Sequence, residues 1–308
     1  MDSNISELRY PSATGLGNIY AKLWIPEGTP VAILQIAHGM AEHIERYAEF
    51  AEWLNQHGIL VAANDHAGHG KSLSDEAHKG YFGPHNGWSS VVEDMKQLHD
   101  HVAVLYPGVS YLMLGHSMGS FLARTYAARF GDGIAAFVFS GTAGKNPAVS
   151  AGRLLAKIER KRNGPIRPSK LLNDMSFGSY NKPFAPVRTD FDWLSRDTQR
   201  VDRYVADPLC GFVFTAEAML DLFDGLDEVG SLDWAARVPE VPILLISGER
   251  DPLGGNGKGI RQVSDWLKNT GHTVTCKLYP DGRHEMLNET NRTEVYADIL
   301  SFIKNTIQ

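Results

Sequence analysis

Short apolar runs bounded by glycine recur through the first half of this 308-residue chain. Strands buried on both faces are continuously hydrophobic, so these runs predict parallel strands. They lie at residues 32–37, 59–63, 111–114 and 135–139. Between them, residues 46–57 and 88–106 have apolar side chains at three- and four-residue spacing, which is typical of amphipathic helices. Strands that alternate with helices predict an α/β protein with a doubly wound, mostly parallel sheet.

This alternation stops after residue 140. The following stretch, 141–234, is rich in Lys, Arg, Pro and aromatic residues and has helical patches but no convincing strand. Apolar runs resume at 241–247 and 274–279, and an amphipathic segment follows at 294–307. We therefore predict a sheet domain formed by residues 1–140 and 235–308, with a mostly helical cap inserted at 141–234.

Composition narrows the range of partners and locations. A net charge of -6 argues against a nucleic-acid partner, because phosphates are neutralised by a basic surface. The first twelve residues lack the basic start and apolar run of a signal peptide, and the longest apolar stretches are too short to span a bilayer. Two cysteines, Cys210 and Cys276, form no disulfide framework. We expect a cytoplasmic protein with structural cysteines.

The sequence Gly115-His116-Ser117-Met118-Gly119 follows a predicted strand and precedes a helix-like run at 121–130. This is the Gly-x-Ser-x-Gly nucleophile elbow in its strand-turn-helix context. Such a turn strains the serine backbone, and glycines are needed where side chains would collide. We predict that Ser117 is a nucleophile at the amino terminus of the helix. The alternative is a serine in an ordinary strand-helix turn.

A serine hydroxyl needs a histidine to take its proton and an acid to orient that histidine. Chain order in the predicted architecture is Ser, acid, His. Asp251 follows the strand 241–247 and His284 follows the strand 274–279, so both belong at the carboxyl edge of the sheet. Glu249 is the nearest rival acid. His272 precedes its strand and belongs at the opposite edge, so we predict that Asp251 and His284 complete the triad.

Acyl transfer also needs N–H donors for the developing oxyanion. By position, Met118 supplies one from the residue after the nucleophile, and Met40 supplies the other from the loop after strand 32–37. Four histidines, at 38, 43, 66 and 69, raise the question of a metal. Their surroundings lack a fitting carboxylate or cysteine array, so we expect loop-stabilising hydrogen bonds, no metal and no organic cofactor.

These residues resemble the monoacylglycerol lipase and lysophospholipase-like branch of the α/β-hydrolases, often grouped with serine aminopeptidases. The resemblance rests on HGMAEHIERY at 38–47, NDHAGHGKS at 64–72, the elbow, and 248–251 with His284. It covers most of the chain outside the cap and implies the α/β-hydrolase fold. The second motif looks like the family's D-x-x-G-H-G-x-S turn, which supports the oxyanion side. The family commonly has glycine where Ala41 and Ser120 stand here.

Aromatic side chains are numerous in the predicted cap. We predict that Phe177, Tyr180, Phe184 and Phe212 contribute to a pocket for an acyl chain. The alternative is that they pack the cap onto the sheet domain.

Basic residues concentrate between Lys145 and Lys170, where eight stand against one acid, Glu159. Leu154, Leu155 and Ile158 share a helical face beside them. A basic amphipathic helix can lie on an anionic membrane, so we consider peripheral membrane contact through the cap. A solvated helix face is the alternative.

The resemblance implies hydrolysis of carboxylic esters, with monoacylglycerols or lysophospholipids as the expected small-molecule substrates and an acyl-enzyme on Ser117. Two alternatives stay open. An amidase, aminopeptidase or thioesterase would use the same triad, and Asp190, Asp192 and Asp197 could bind a free amino terminus. A catalytically inactive receptor is the other, although no triad residue is missing. The sequence makes no prediction of the oligomeric state.

Overall fold

The computed structural model describes residues 4–307, and an eight-stranded sheet forms its centre. The strands are β1 Asn4–Pro11, β2 Asn18–Ile25, β3 Ala32–Ala37, β4 Ile59–Asn64, β5 Tyr111–His116, β6 Ile134–Ser140, β7 Ile243–Gly248 and β8 Val274–Tyr279. Their order across the sheet is β1-β2-β4-β3-β5-β6-β7-β8. β2 runs antiparallel to both of its neighbours, whereas β3 to β8 pair in parallel. The predicted doubly wound, mostly parallel sheet is confirmed.

Helices cover both faces of this sheet. On one face lie α1 Ala48–Asn55 and α10 Arg292–Thr306, and on the other lie α2 Gly87–Leu105, α3 Met118–Phe130 and α9 Lys258–Asn269. Successive strand residues point to opposite faces, so Ile33 and Phe137 join one hydrophobic cluster while Leu34 and Val138 join the other. Burial on both faces explains why these strands are continuously apolar.

The predicted strands are all present, with ends that differ by at most two residues. The predicted helix at 46–57 begins earlier, as a 3-10 turn at Ile44–Tyr47 that continues into α1. Neither β1 nor β2 has the continuous apolar run that predicted the other strands. β1 lies at the edge and is largely exposed, and Lys22 interrupts the apolar run of β2. The Nζ atom of Lys22 binds Glu45 at 2.8 Å, which satisfies a charge on an otherwise buried strand.

The segment between β6 and β7 contains no strand of the described sheet. Its helices are α4 Val149–Asn163, α5 Lys170–Phe177, α6 Thr198–Ala206, α7 Ala216–Val229 and α8 Leu232–Ala235. Arg124 of α3, fully buried, donates to the carbonyl oxygens of Ala143 and Val229, close to the two ends of this segment. The division into a sheet domain and a cap stays our interpretation of this arrangement. Every helix within residues 4–307 is too short or too polar to traverse a bilayer.

Candidate active site

Ser117 lies between β5 and α3 in a backbone conformation that non-glycine residues rarely adopt, with φ 53° and ψ -123°. Close approach of the chain explains the flanking glycines. A Cβ atom added to Gly115 would lie 2.3 Å from the carbonyl oxygen of Gly119, and one added to Gly119 would lie 2.0 Å from that of Ala37. The turn therefore tolerates no side chain at either position and presents Ser117 at the start of α3.

Asp251 and His284 leave the carboxyl ends of β7 and β8, and the structure brings them together. Asp251 Oδ2 lies 3.0 Å from His284 Nδ1, and both side chains are buried. Leu253 N–H donates to Asp251 Oδ1 at 2.9 Å, which holds the carboxylate in place. Burial alone would lower the pKa of His284, but the charge and hydrogen bond of Asp251 outweigh it, so the pKa is raised. Burial likewise opposes the ionised Asp251, yet the charge of His284 keeps its pKa below the usual value.

His284 also faces the elbow. Its ring centroid lies 4.8 Å from that of His116, the residue before Ser117, and 4.9 Å from that of Trp193. A Cβ atom added to Gly141 would lie 3.0 Å from His284 Cε1. Within residues 4–307, Nε2 of His284 is buried and has no hydrogen-bond partner. The atom that would accept a proton is thus free for Ser117 and a substrate.

The rival residues lie elsewhere. Glu249 is exposed. His272 is buried before β8, where its ring nitrogens bind the carbonyl oxygens of Leu267 and Val238 at 3.1 Å each. Neither residue joins the pair formed by Asp251 and His284.

Met118 is the first residue of α3, a position whose N–H has no acceptor within the helix. Met40 lies in the loop after β3, and the N–H groups on either side of it are occupied. Gly39 N–H donates to Glu42 Oε1 at 2.6 Å, and Ala41 N–H donates to His69 Nε2 at 3.2 Å. A Cβ atom added to Gly39 would lie 3.2 Å from that of Ser117, so this loop directly borders the nucleophile.

Histidine rings form hydrogen bonds that stabilise the loop after β3. His38 Nε2 accepts the N–H of His66 at 2.9 Å, while its Nδ1 lies 2.8 Å from the carbonyl oxygen of Gly39. Burial lowers the pKa of His66 to about 3 and that of His69 to about 4, and it holds that of His38 well below its usual value. These rings are neutral and form loop hydrogen bonds, as expected.

Comparison with known proteins identifies the family of this chain. The sequence profile of the serine aminopeptidase S33 family of hydrolases matches residues 28–291. The chain belongs to this family. It is 29% identical to a monoacylglycerol lipase of Mycolicibacterium smegmatis over 98% of both chains. It is 31% identical to human monoglyceride lipase, over 88% of this chain and 81% of the human protein.

A similar structure has also been solved. A thermostable carboxyl esterase from Bacillus coagulans superimposes with a TM-score of 0.94 at 33% identity, covering 99% of each chain. The predicted α/β-hydrolase fold and the resemblance to the monoacylglycerol lipase branch are confirmed. So is the prediction of a carboxylic-ester hydrolase, at the level of the family.

The two departures from the S33 pattern have different consequences. Ala41 adopts a left-handed conformation, φ 53°, which explains why glycine is common there. Its carbonyl oxygen accepts hydrogen bonds from Gly211 N–H at 2.9 Å and from Tyr204 Oη at 3.0 Å, so the cap holds this residue in place. Ser120 is buried, and its hydroxyl donates to the carbonyl oxygen of Ser117 at 2.6 Å.

A buried ion-pair network that the sequence analysis missed joins the two loops of this S33 site. Arg46 binds Glu285, the neighbour of His284, through two hydrogen bonds of 2.7 and 2.6 Å. Arg46 also binds Glu42, which accepts the N–H of Gly39. Burial opposes the ionised Glu285, but the charge of Arg46 lowers its pKa. Glu42 and Arg46 stand in the motif at 38–47 and Glu285 follows His284 in the sequence, yet only the fold shows that the three residues meet.

A cavity of about 590 Å³ opens from Ser117 toward the cap. Met40, Met118, Phe177 and Tyr180 line it, together with side chains that the sequence analysis did not name: Phe121, Met175, Leu222, Phe223 and Leu226. Two predicted pocket residues lie elsewhere. The Phe184 ring packs under Arg283, whose guanidinium carbon is 4.2 Å from the ring centroid. Phe212 packs against Phe214 and against His69, whose ring accepts the N–H of Ala41. These two aromatics connect cap and sheet domain, which was the alternative role.

One cluster in residues 4–307 has the composition of a metal site. His43, Asp207 and Cys210 have ligand atoms within 4.8 Å of one another. His43 Nε2 already binds Asp207 Oδ2 at 2.9 Å, and burial raises the pKa of the Cys210 thiol. The hydrogen bond between His43 and Asp207 joins residues 38–47 after β3, the oxyanion-side loop, to the cap.

Proposed function

We propose that this protein hydrolyses carboxylic esters, with monoacylglycerols or lysophospholipids as substrates and Ser117 as the nucleophile. One observation carries the proposal. The buried pair of Asp251 and His284 lies beside the strained Ser117, at the end of a mostly apolar cavity. The names of the relatives, monoacylglycerol lipase and carboxyl esterase, agree with it.

In the first half of the reaction, His284 Nε2 takes the proton of Ser117 while Oγ forms a bond to the ester carbonyl carbon. The N–H groups of Met40 and Met118 donate to the oxyanion of the tetrahedral intermediate. His284 then gives its proton to the departing alcohol as the ester bond breaks, which leaves an acyl group on Ser117. In the second half, water attacks this acyl group, and the carboxylic acid leaves with Ser117 restored.

Asp251 keeps His284 in the tautomer that carries the proton on Nδ1, so that Nε2 can accept one. The charge of Asp251, which raises the pKa of His284, also stabilises the imidazolium that forms during each half-reaction. The acyl chain would occupy the apolar end of the cavity, among Met175, Leu222, Phe223 and Leu226. A volume of about 590 Å³ lies in the usual range for small-molecule pockets.

The aminopeptidase alternative is not favoured by the cap. Asp192 accepts Arg188 N–H and the Thr189 hydroxyl, each at 2.6 Å. Asp197 caps α6 and pairs with Arg292. Neither these two carboxylates nor Asp190 lines the cavity. A free amino terminus would therefore find no carboxylate there within the described residues.

We also propose that the cap contacts anionic membranes. Leu154 and Ile158 of α4 are exposed by 63% and 43%, and Leu171 and Met175 of α5 by 52% and 53%. The predicted apolar face of α4 therefore points to solvent, at Leu154 and Ile158, instead of into the cap. Met175 also lines the cavity, so this surface adjoins the substrate entrance. Within residues 4–307, neighbouring Lys157, Lys161 and Arg162 have no ion-pair partner and can meet lipid phosphates.

The nucleophile is tested with Ser117→Ala and, as a control, with Ser150→Ala, which changes an exposed serine of α4. Wild type and the control should hydrolyse monoacylglycerols and p-nitrophenyl butyrate and react with a fluorophosphonate probe. Ser117→Ala should do neither. Labelling or turnover that survives in Ser117→Ala disproves the assignment, and faster cleavage of aminoacyl anilides than of esters disproves the substrate class.

Membrane contact is tested by sedimentation with vesicles of neutral lipid alone or with added anionic lipid. Binding should require the anionic lipid and weaken when Leu154→Ser and Ile158→Ser are combined. Rates on p-nitrophenyl butyrate in solution show whether the variant is folded. Equal binding of wild type and variant to anionic vesicles contradicts the proposed surface.

A further inference from the structure

The charged residues that line the cavity have one sign. Lys145 and Lys258 are both exposed at its rim, and none of its 26 lining residues is Asp or Glu. No ion pair within residues 4–307 neutralises either lysine. The uncharged polar residues beside them include Asn146 and Gln262. The rim of this cavity therefore presents two positive charges to whatever enters it.

The two lysines leave adjacent points of the same wall. A Cβ atom added to Gly259 would lie 2.8 Å from Gly144 N, so the backbones of these two glycines are in contact. Lys258 and Lys145 are their immediate neighbours in sequence. The N–H of Lys145 also donates to Gln262 Oε1 at 2.9 Å, which ties the segment after β6 to α9. This packing fixes the positions from which both side chains extend.

This wall begins next to His284, the general base of the proposed mechanism. Gly141 contacts the ring of His284, and the chain runs from there through residues 142–144 to Lys145. Gly254, which contacts the carbonyl oxygen of Thr142, lies on the same side as Asp251. The group that His284 protonates is the departing alcohol, so the alcohol part of a substrate lies on this side. The apolar acyl end lies toward α7, at Leu222, Phe223 and Leu226.

We propose that Lys145 and Lys258 select a substrate whose alcohol part carries an anionic group, such as the phosphate of an acylated glycerophosphate. This inference rests on the proposed function and distinguishes between its two substrate classes. A phosphate placed a few bonds beyond the ester oxygen can contact both ammonium groups. An amine at that position meets two like charges, and a neutral glycerol gains nothing from them.

Soluble esters test the inference without any lipid surface. We compare 1-butyrylglycerol with 1-butyrylglycerol 3-phosphate, both below the concentration at which they aggregate. Each exposed ion pair contributes at most about 1 kcal/mol, roughly fivefold in binding, and two lysines can form two such pairs. We therefore expect wild type to prefer the phosphate ester by about tenfold in kcat/KM, mainly through KM. The preference should disappear when Lys145→Gln and Lys258→Gln are combined, and it should weaken with salt.

Lys268→Gln combined with Lys304→Gln is the matched control, because it removes two exposed positive charges outside the cavity. It should keep the preference for the phosphate ester. A second readout avoids turnover of either ester: glycerol 3-phosphate should inhibit p-nitrophenyl butyrate hydrolysis competitively in wild type, more strongly than glycerol does.

Equal kcat/KM of wild type for both esters overturns the inference, and so does a loss in the double lysine variant that affects both esters equally. Its failure is distinct from that of the proposed function. Hydrolysis of 1-butyrylglycerol without a preference for the phosphate ester leaves the role of Ser117 intact. Absence of hydrolysis of every ester, together with no fluorophosphonate labelling, contradicts both.

Discussion

Buried histidines lie on two sides of Ser117, and their pKa values are shifted in opposite directions. On the oxyanion side, His38 and His69 each accept a backbone N–H through Nε2, and burial keeps their pKa values low. On the base side, His284 is equally buried, but the carboxylate of Asp251 raises its pKa. Burial is common to both groups, so the difference comes from the charged partner.

This difference matches what each loop must do. A protonated His69 could no longer accept the N–H of Ala41, so the oxyanion-side loop needs a ring that stays neutral. In the proposed mechanism His284 gains and loses a proton in each half-reaction, so it needs a partner that stabilises the cation. One residue type serves both purposes because the position of a single carboxylate decides its protonation.

Asp251→Asn should have the largest effect, because it removes the carboxylate that distinguishes His284 from His38 and His69. Without the carboxylate, burial lowers the pKa of His284, and the amide favours the wrong tautomer. We expect kcat to fall by about 10³ to 10⁴-fold, as such a change does for a triad acid. Steady-state kinetics on p-nitrophenyl butyrate measure it, with Asp265→Asn on the exposed surface of α9 as control. A loss below tenfold would show that Asp251 does not orient the base.

Glu285→Gln should act on both loops, because it removes one of the two carboxylates that pair with the buried Arg46 and leaves Glu42 as the remaining partner. Breaking a buried pair completely costs about 3 to 5 kcal/mol of unfolding free energy, so we expect a smaller loss, which urea denaturation measures. The negative charge of Glu285 also raises the pKa of His284, so its loss should move the acidic limb of the pH profile of kcat/KM to lower pH.

Glu289→Gln is the matched variant for this effect. Glu289 lies on the same loop as Glu285, is also buried and pairs with Arg196. Its removal should therefore destabilise the protein as well. The acidic limb should move less, because the charges that chiefly raise the pKa of His284 are those of Asp251, Glu285 and Glu42. If both variants move the limb equally, Glu285 affects His284 only through the stability of the loop.

The pH dependence of stability should separate the two groups of histidines. The pKa values of His66 and His69 in the folded protein, about 3 and 4, lie below that of an unfolded histidine, 6.5. The unfolded chain therefore binds more protons between pH 4 and 6.5. Unfolding free energy should fall on acidification through this range, by up to about 1.4 kcal/mol per pH unit for each ring.

His284 has the opposite sign, because its raised pKa adds stability that is present below pH 6.5 and lost as pH rises through the folded value. Urea denaturation at several pH values measures the sum. The slope should flatten below pH 6.5 in His66→Gln, which removes one of the neutral rings. An unchanged slope in this variant would mean that His66 does not remain neutral in the folded protein.

Ala41→Gly should have the smallest effect. The left-handed conformation of Ala41 costs about 1 kcal/mol, and the greater freedom of glycine in the unfolded chain offsets about half of it. We expect a gain of about 0.5 kcal/mol in unfolding free energy, with kcat within about twofold of wild type. Thermal unfolding measures the gain. A loss of stability would contradict the strain assigned to the left-handed conformation of Ala41.

Much of the fold and the positions of the three proposed catalytic residues followed from local patterns. The strand ends before Ser117 and Asp251 could be placed because β5 and β7 are buried over their whole length. β8, before His284, lies at the sheet edge and contains Thr275 and Lys277, so its apolar signal is weaker. β1 and β2 escaped notice because exposure at the edge and a paired Lys22 remove that signal. Among the cap aromatics, Phe184 and Phe212 could not be distinguished from Phe177 and Tyr180, since all four are apolar and lie in the same predicted insertion.

The sequence by itself therefore determined the order of the sheet strands from β3 onward, the elbow and the chemical types available at the edge of the sheet, because these depend on neighbouring residues. Only the tertiary structure decided which distant groups meet. Arg46 and Glu285 are 239 positions apart, and the alignment of Lys145 with Lys258 depends on contact between two glycine backbones. Charge and burial act through space, so the protonation of His284 and the sign of the cavity rim follow from packing.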